Sequence, residues 1–191
     1  MKKVIFSGIA FLTLSAFTIL NVTWESDPAH SQLAFTVTHL GISDVSGTFN
    51  DFTVEVKSSK PDFSDASFDL SAKAASIETR VEARNNHLKS ADFFDIEKYP
   101  TLNFKSTSLK KTGKNQFKLG GDLTIHGVTK SVVLDLTYNG SIENPMTKKP
   151  AVGFTLSGTI LRSDFGIGSK FPAPMISDEV RINASGEFAQ N

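Results

Sequence analysis

In eight separate stretches of this 191-residue chain, apolar and polar side chains alternate one for one. Successive side chains of a β-strand point to opposite faces, so this period of two marks strands with one dry and one wet side. In "SQLAFTVTH", Leu33, Phe35 and Val37 share a face with Ser31 and His39, while Gln32, Ala34, Thr36 and Thr38 take the other. "FTVEVK" aligns Phe52, Val54 and Val56; "SFDLSAKA" aligns Phe68, Leu70, Ala72 and Ala74; "LNFKSTS" aligns Leu102 and Phe104. "QFKLGGDLTIH" places Phe117, Leu119, Gly121, Leu123 and Ile125 together, and "SVVLDLTYNG" does so for Val132, Leu134, Leu136 and Tyr138. "AVGFTLSGTI" and "EVRINASGEF" complete the set with Val152, Phe154, Leu156 and with Val180, Ile182, Phe188.

Turn signals separate these runs. "KTGKN" (111–115) and "HGVTK" (126–130) read as hairpin loops, and "NGSIENPMTKKP" (139–150) as a longer polar connection. Eight short amphipathic strands joined mainly by hairpins predict an antiparallel sheet that closes on itself or folds into a sandwich. Closure would abolish exposed edges and leave an interior able to hold one small ligand. A sandwich would bury the same residues without a cavity. Gly121, Gly158 and Gly186 fall on the apolar face, where a glycine marks a bend or the close approach of another group.

The chain begins "MKKVIFSGIAFLTLSAFTIL", two lysines followed by an uncharged apolar run. That is the pattern of a secretory leader over residues 1–20, with an uncleaved membrane anchor as the alternative. Residues 21–191 then form one expected domain, exported to the periplasm or secreted. There is no cysteine, so an exported fold must stand on its core alone. Without Lys2 and Lys3 the 20 basic residues fall to 18 against 20 acidic ones, which gives no reason to expect nucleic acid as a partner. Phenylalanine is the outlying residue type, 16 in all beside one Trp and two Tyr. A ring without a polar handle suits a dry interior.

The alternation fails from Ile77 to Pro100. "IETRVEARNNHLKS" and "DFFDIEKYP" read as two short helical pieces, with Phe93, Phe94 and Ile96 directed at the sheet and Asp92, Asp95, Glu97 and Lys98 in water. No Gly-x-Ser-x-Gly, phosphate-binding glycine loop or Ser–His pair at a recognised spacing is present, and the four histidines show no His-x-His or His-x3-His spacing. These residues call for no metal and no cofactor. The segment after the seventh strand, "SDFGIGSKFPAPMIS", has two readings: an ordered crossover, or one lip of an entrance with Arg162 or Lys170 near a polar head group and Phe165 and Phe171 beside it.

Four stretches in order, "DPAHSQLAFTVTHLGISDVSGTFNDF" (27–52), "RNNHLKSADFFDIEKYPTLNFKS" (84–106), "GDLTIHGVTKSVVL" (121–134) and "LRSDFGIG" (161–168), resemble the signature blocks of the YceI-like family. The resemblance implies an all-β fold, an eight-stranded antiparallel lipocalin-like β-barrel with a short helical insertion at about 77–100. It also implies an apolar pore for a long-chain lipid or isoprenoid ligand, isoprenoid quinones and fatty-acid-like lipids included. Arg84 and His87 then belong to a cover over the barrel rather than to a catalytic centre, with Asn85 and Asn86 standing where the family commonly has an acidic residue.

The lining expected of that pore is Leu33, Phe35, Val37, Phe52, Phe68, Leu70, Phe104, Phe117, Leu119, Leu136, Phe154 and Leu156; the mouth is assigned to His39, Arg84, His87, Arg162, Phe165 and Phe171. Binding without catalysis is the leading reading, with transient contact with a membrane surface and a homodimer among the expected associations. Two other readings stand beside it: an enzyme for a lipid-like substrate using His39, Arg84 or His87, and a purely structural secreted domain.

Overall fold

The computed structural model describes residues 21–190, so the expected leader, residues 1–20, lies outside the described residues. The strands are β1 (Val22–Ser26), β2 (Gln32–His39), β3 (Ser43–Phe49), β4 (Phe52–Ser58), β5 (Ser67–Lys73), β6 (Ile77–Glu78), β7 (Thr101–Gly113), β8 (Gln116–Ile125), β9 (Val128–Glu143), β10 (Pro150–Leu161) and β11 (Glu179–Gln190). One α-helix, α1 (Glu82–Lys89), lies in the insertion. No helix among the described residues is long and apolar enough to cross a membrane.

Eight strands close a ring in the order β1-β4-β5-β7-β8-β9-β10-β11 and back to β1, antiparallel throughout. The barrel rather than the sandwich is therefore the outcome. Its membership differs from the sequence reading in one place. Strand β11 has two partners along the same edge: β1 over Phe188–Gln190, and β2 over Arg181–Ser185. Below this fork β1 bridges directly to β4 and the ring is tight. Above it the β2–β3 hairpin replaces β1, and β3 ends against β6 through Phe49↔Ile77. The upper half is thus wider, and the insertion from Ala74 to Pro100 fills the remaining wall.

Of the expected segments, β2 stands beside the ring, and the five-residue β1 takes the eighth place. Turn chemistry accounts for the hairpins. His126 and Gly127 both have positive φ (52° and 73°), the left-handed pair that matches the twist of a two-residue hairpin between β8 and β9. A side chain at Gly127 would collide with the Tyr99 ring. The polar connection expected over 139–150 is shorter in the structure. Strand β9 continues through Glu143, leaving a loop closed by Asn144 N–H donating to Lys149 O (2.9 Å).

The inward faces are those that alternation predicts. Val56, Leu119, Phe117, Leu136 and Phe154 are all buried. Two of the apolar-face glycines are explained by their neighbours across the strand. A Cβ on Gly121 would run into the Phe104 ring, and one on Gly158 into Leu134, so each glycine makes room for a large side chain on the adjacent strand.

Candidate functional site

The lower end of the barrel is closed by aromatic rings. Phe63, on the loop between β4 and β5, turns inward and lies 5.7 Å from Trp24, 5.0 Å from Tyr138 and 5.2 Å from Phe154, between ring centroids. Phe154 meets Phe68 (5.4 Å) and Phe188 (5.6 Å), edge to face. Such pairs contribute about 0.5–1.5 kcal/mol each beyond the area they bury. Asp65 pins the loop that carries Phe63. Its carboxylate accepts from Ser58 Oγ (2.5 Å), from Ser59 N–H (3.1 Å) and from Ser59 Oγ. Desolvation alone would raise its pKa, but these donors outweigh it and hold the group down to about 2.

Above this floor lies a cavity of about 530 Å³. Its wall is almost wholly hydrocarbon: the expected lining residues all border it except Phe117. Phe117 pairs with Leu136 one step nearer the closed end than Leu119, and there it packs as buried core beneath the cavity floor. Its assignment to the pore is corrected accordingly. Alternation fixes which face a residue occupies but not its height along the barrel axis. Residues outside the expected lining also border the cavity: Leu123, Ile160 and Ile182, which alternation puts on inward faces, and Ile167 and Ile176, which lie in the non-periodic segment after β10.

The mouth gathers every residue expected there: His39, Arg84, His87, Arg162, Phe165 and Phe171 all border the cavity. They arrive on two covers. The first is the insertion. Buried Asn85 locks α1 to the wall by accepting from Thr79 N–H (2.8 Å) and Thr79 Oγ1 (2.6 Å) and donating to Glu78 Oε2 (3.0 Å). Arg84 donates from Nε to Thr79 Oγ1 (2.8 Å) and from Nη2 to Thr79 O (2.6 Å), which leaves Nη1 without a partner among the described residues. Only one α-helix forms here; the second expected helical piece, from Asp92 to Pro100, is a series of turns that presents buried Phe93 and half-buried Phe94 and Ile96 to the core.

The second cover is the segment from Arg162 to Asp178. Arg162 is 7% exposed, and each of its five N–H donors meets a backbone carbonyl. Nε reaches Ser177 O (3.0 Å), Nη1 reaches Ile167 O (2.8 Å) and Gly168 O (2.7 Å), and Nη2 reaches Phe171 O (2.5 Å) and Ile176 O (3.1 Å). No donor is left for a ligand head group, so Arg162 folds the loop, and its expected place near a head group is corrected. The two covers meet through stacked Phe93 and Phe171 (5.1 Å) and through Asp92. That carboxylate accepts from Lys170 Nζ (2.6 Å) and lies 3.2 Å from His87 Nε2, and first Lys170, then His87, holds its pKa below the usual value.

From the sequence no histidine–carboxylate cluster is expected, and the structure corrects this, because Glu187 comes from the far end of the chain. Asp27, His30 and Glu187 bring ligand atoms within 4.8 Å of one another at the β1–β2 fork. Their bonds explain them locally. Asp27 accepts from Ala29 N–H (2.8 Å) and pairs with His30 Nδ1 (2.8 Å), which pins the step by which the chain leaves β1 for β2.

This architecture has relatives. The YceI-like domain profile matches residues 24–188. UPF0312 protein SA2479 of Staphylococcus aureus (strain N315) is 36% identical over 167 residues, covering 85% of this chain and 95% of the relative. The crystal structure of the Campylobacter jejuni YCEI protein superposes with a TM-score of 0.74 at 34% identity, covering 81% of this chain and 90% of that one. A polyisoprenoid binding domain from Saccharophagus degradans has the same fold, with a TM-score of 0.67 at 13% identity over 89% of this chain and 99% of its own. With matching signature blocks, a matching barrel and a profile match that runs from β1 to β11, the chain belongs to the YceI-like family.

Proposed function

We propose that this protein binds a long-chain amphiphile, an isoprenoid or a lipid with a comparable tail, and that it sequesters or carries this ligand rather than transforming it. The observation that carries the reading is the cavity: about 530 Å³, walled by Phe, Leu, Ile and Val, shut by rings below and bordered by exposed His39, His87 and Met175 above. That volume lies inside the range of roughly 300–1,000 Å³ typical of small-molecule sites. Apolar walls with polar groups at one end suit a tail-first ligand. The head group would meet His39, His87 and the free Nη1 of Arg84. The polyisoprenoid ligand named for the Saccharophagus degradans relative supports the same class.

Burying a methylene stabilises by about 0.8 kcal/mol relative to water, so a 20-carbon tail would formally gain about 16 kcal/mol. That approaches the ceiling for non-covalent affinity, and ordering the tail lowers it. The relevant exchange is with a bilayer, which is also apolar; there the tail's transfer is nearly neutral and therefore reversible. Head group and tail length then set selectivity. Binding rather than catalysis is favoured because Arg84 and His87 hold a cover in place through Thr79 and Asp92. We place this activity outside the cytoplasm, on the strength of the basic and apolar residues 1–20. Organic extraction of the purified protein, or of protein incubated with quinones, prenols and fatty acids, followed by mass spectrometry, should recover about one lipid per barrel. Recovery of none across those classes would reject the reading.

A further inference from the structure

The turn between β2 and β3 is "HLGIS", and the segment facing it is "FPAPMI" at 171–176. Neither contains a lysine, arginine, aspartate or glutamate. The two are zipped together: His39 bridges to Ile176, Leu40 N–H donates to Met175 O (3.1 Å), and Ser177 N–H donates to Thr38 O (2.9 Å). Gly41 faces Pro174, whose Cβ would lie 3.7 Å from a Cβ built there. On this rigid lip Ile42 is 85% exposed, Leu40 52% and Met175 45%, an expensive arrangement for a turn in water.

Position is the second observation. His39, Phe171, Met175 and Ile176 of the same two segments also line the cavity, so the exposed apolar surface runs without a break into the apolar wall. The opposite end of the barrel is plugged by Phe63 and its ring partners. A tail's path is through the mouth, and the uncharged lip forms one side of its rim, with Arg84, His87 and the Asp92–Lys170 pair on the covers beside it.

We propose that this lip is a membrane-docking surface: Leu40, Ile42 and Met175 insert into the head-group boundary of a bilayer and set the cavity mouth against the lipid, so that a tail passes between bilayer and barrel without crossing water. The inference rests on the lipid-binding reading and adds to it a partner and an orientation. Three side chains suit shallow, reversible insertion, in which apolar groups enter about 5–10 Å into the interface. Because the lip carries no formal charge, docking depends on apolar area and not on anionic lipid, and salt leaves it largely unchanged.

The test compares wild type with the double variant Leu40→Asn, Ile42→Asp. Neither residue lines the cavity, and Asn tolerates the positive φ of 53° at position 40. Flotation with neutral phosphatidylcholine vesicles should retain wild type, and the variant should bind at least about tenfold more weakly, a difference of about 1.4 kcal/mol. Transfer of a fluorescent prenol from those vesicles should slow in proportion, while loading of the same prenol from detergent stays the same. Equal vesicle binding and equal transfer by the two proteins would overturn the docking surface and leave the cavity reading intact. Failure of both to load from detergent would reject the cavity reading itself, with flotation still reporting on the lip. Size-exclusion chromatography decides the rival occupant: a dimer in wild type that the variant loses would make the lip an interface between copies and overturn the proposal.

Discussion

At the floor of the barrel Phe63 is held by other rings; at the mouth Phe171 is held by a guanidinium that gathers the carbonyls of its loop. Both phenylalanines close one end of the same apolar space. Around Phe63 the stabilisation is burial and ring packing among Trp24, Tyr138 and Phe154. Around Phe171 it is the stack on Phe93 together with a set of directional bonds from Arg162 to the loop's carbonyls, bonds that water can replace. The contrast assigns permanence to one end and access to the other. Rings packed on rings must leave a dry site to move, whereas most of the loop's fastenings are polar bonds that water can replace: Arg162 to its carbonyls, Lys170 to Asp92, and Ser177 N–H to Thr38 O.

The largest effect that breaks this contrast should come from Arg162→Met. It strips five carbonyls of their donor, and even with partial solvation the loss should reach about 4 kcal/mol, since each unsatisfied buried group costs about 1–3. Urea unfolding measures it, and limited proteolysis should cut the variant within 163–177 first. A loss under about 1 kcal/mol would mean that the loop packs without its cation. Next comes Phe63→Ala, expected to cost about 3 kcal/mol, the low end for a buried ring because a surface loop can settle into the gap. Trp24 emission should shift to the red as water reaches the floor, and an unchanged spectrum would deny that Phe63 is the plug.

A smaller effect separates a hollow interior from a solid one. Leu156→Trp places a large ring on the cavity wall, where space exists to receive it. Lipid loading should fall severalfold while thermal stability changes by less than about 1 kcal/mol; an interior already full would instead lose about 1–3 kcal/mol to overpacking. The smallest effect concerns acid. The folded pKa of Asp65 is depressed, from 3.8 to about 2, so its contribution is fully present above pH 4 and disappears as the pH falls through 2. The group is exposed, which limits the contribution to less than about 1 kcal/mol. Trp24 fluorescence between pH 4 and pH 2 should report the floor loosening in wild type, and Asp65→Asn should be flat across that window.

Much of the wall was legible because a sheet with one wet face writes itself as alternation. The strands that were not read lack that signal for physical reasons. Strand β1 offers only five residues, Val22 to Ser26, and β3 interrupts its pattern with Gly47, which leaves room for the Phe35 ring on β2. Phe63 sits in "KPDFSDAS", a polar loop with no period, so nothing local announces that its ring turns inward. Its φ of 54° is a property of the folded loop. Height along the barrel is equally silent, as Phe117 shows. His39, Arg84, His87 and Arg162 are expected at the mouth from the sequence, Arg84 and His87 through the family likeness, but the division of labour among them depends on distances: Arg162 saturated by carbonyls, Arg84 with one nitrogen unpartnered among the described residues.

The chain's sole tryptophan, Trp24, lies at the closed end, behind Phe63. Titrating the protein with two fatty acids, one carrying a nitroxide at the tail tip and the other beside the carboxylate, therefore measures which end of a ligand reaches the floor. Strong quenching by the tip label and weak quenching by the carboxylate label is the result expected of a tail-first ligand in this cavity. Equal quenching by the two, or the reverse order, would contradict it.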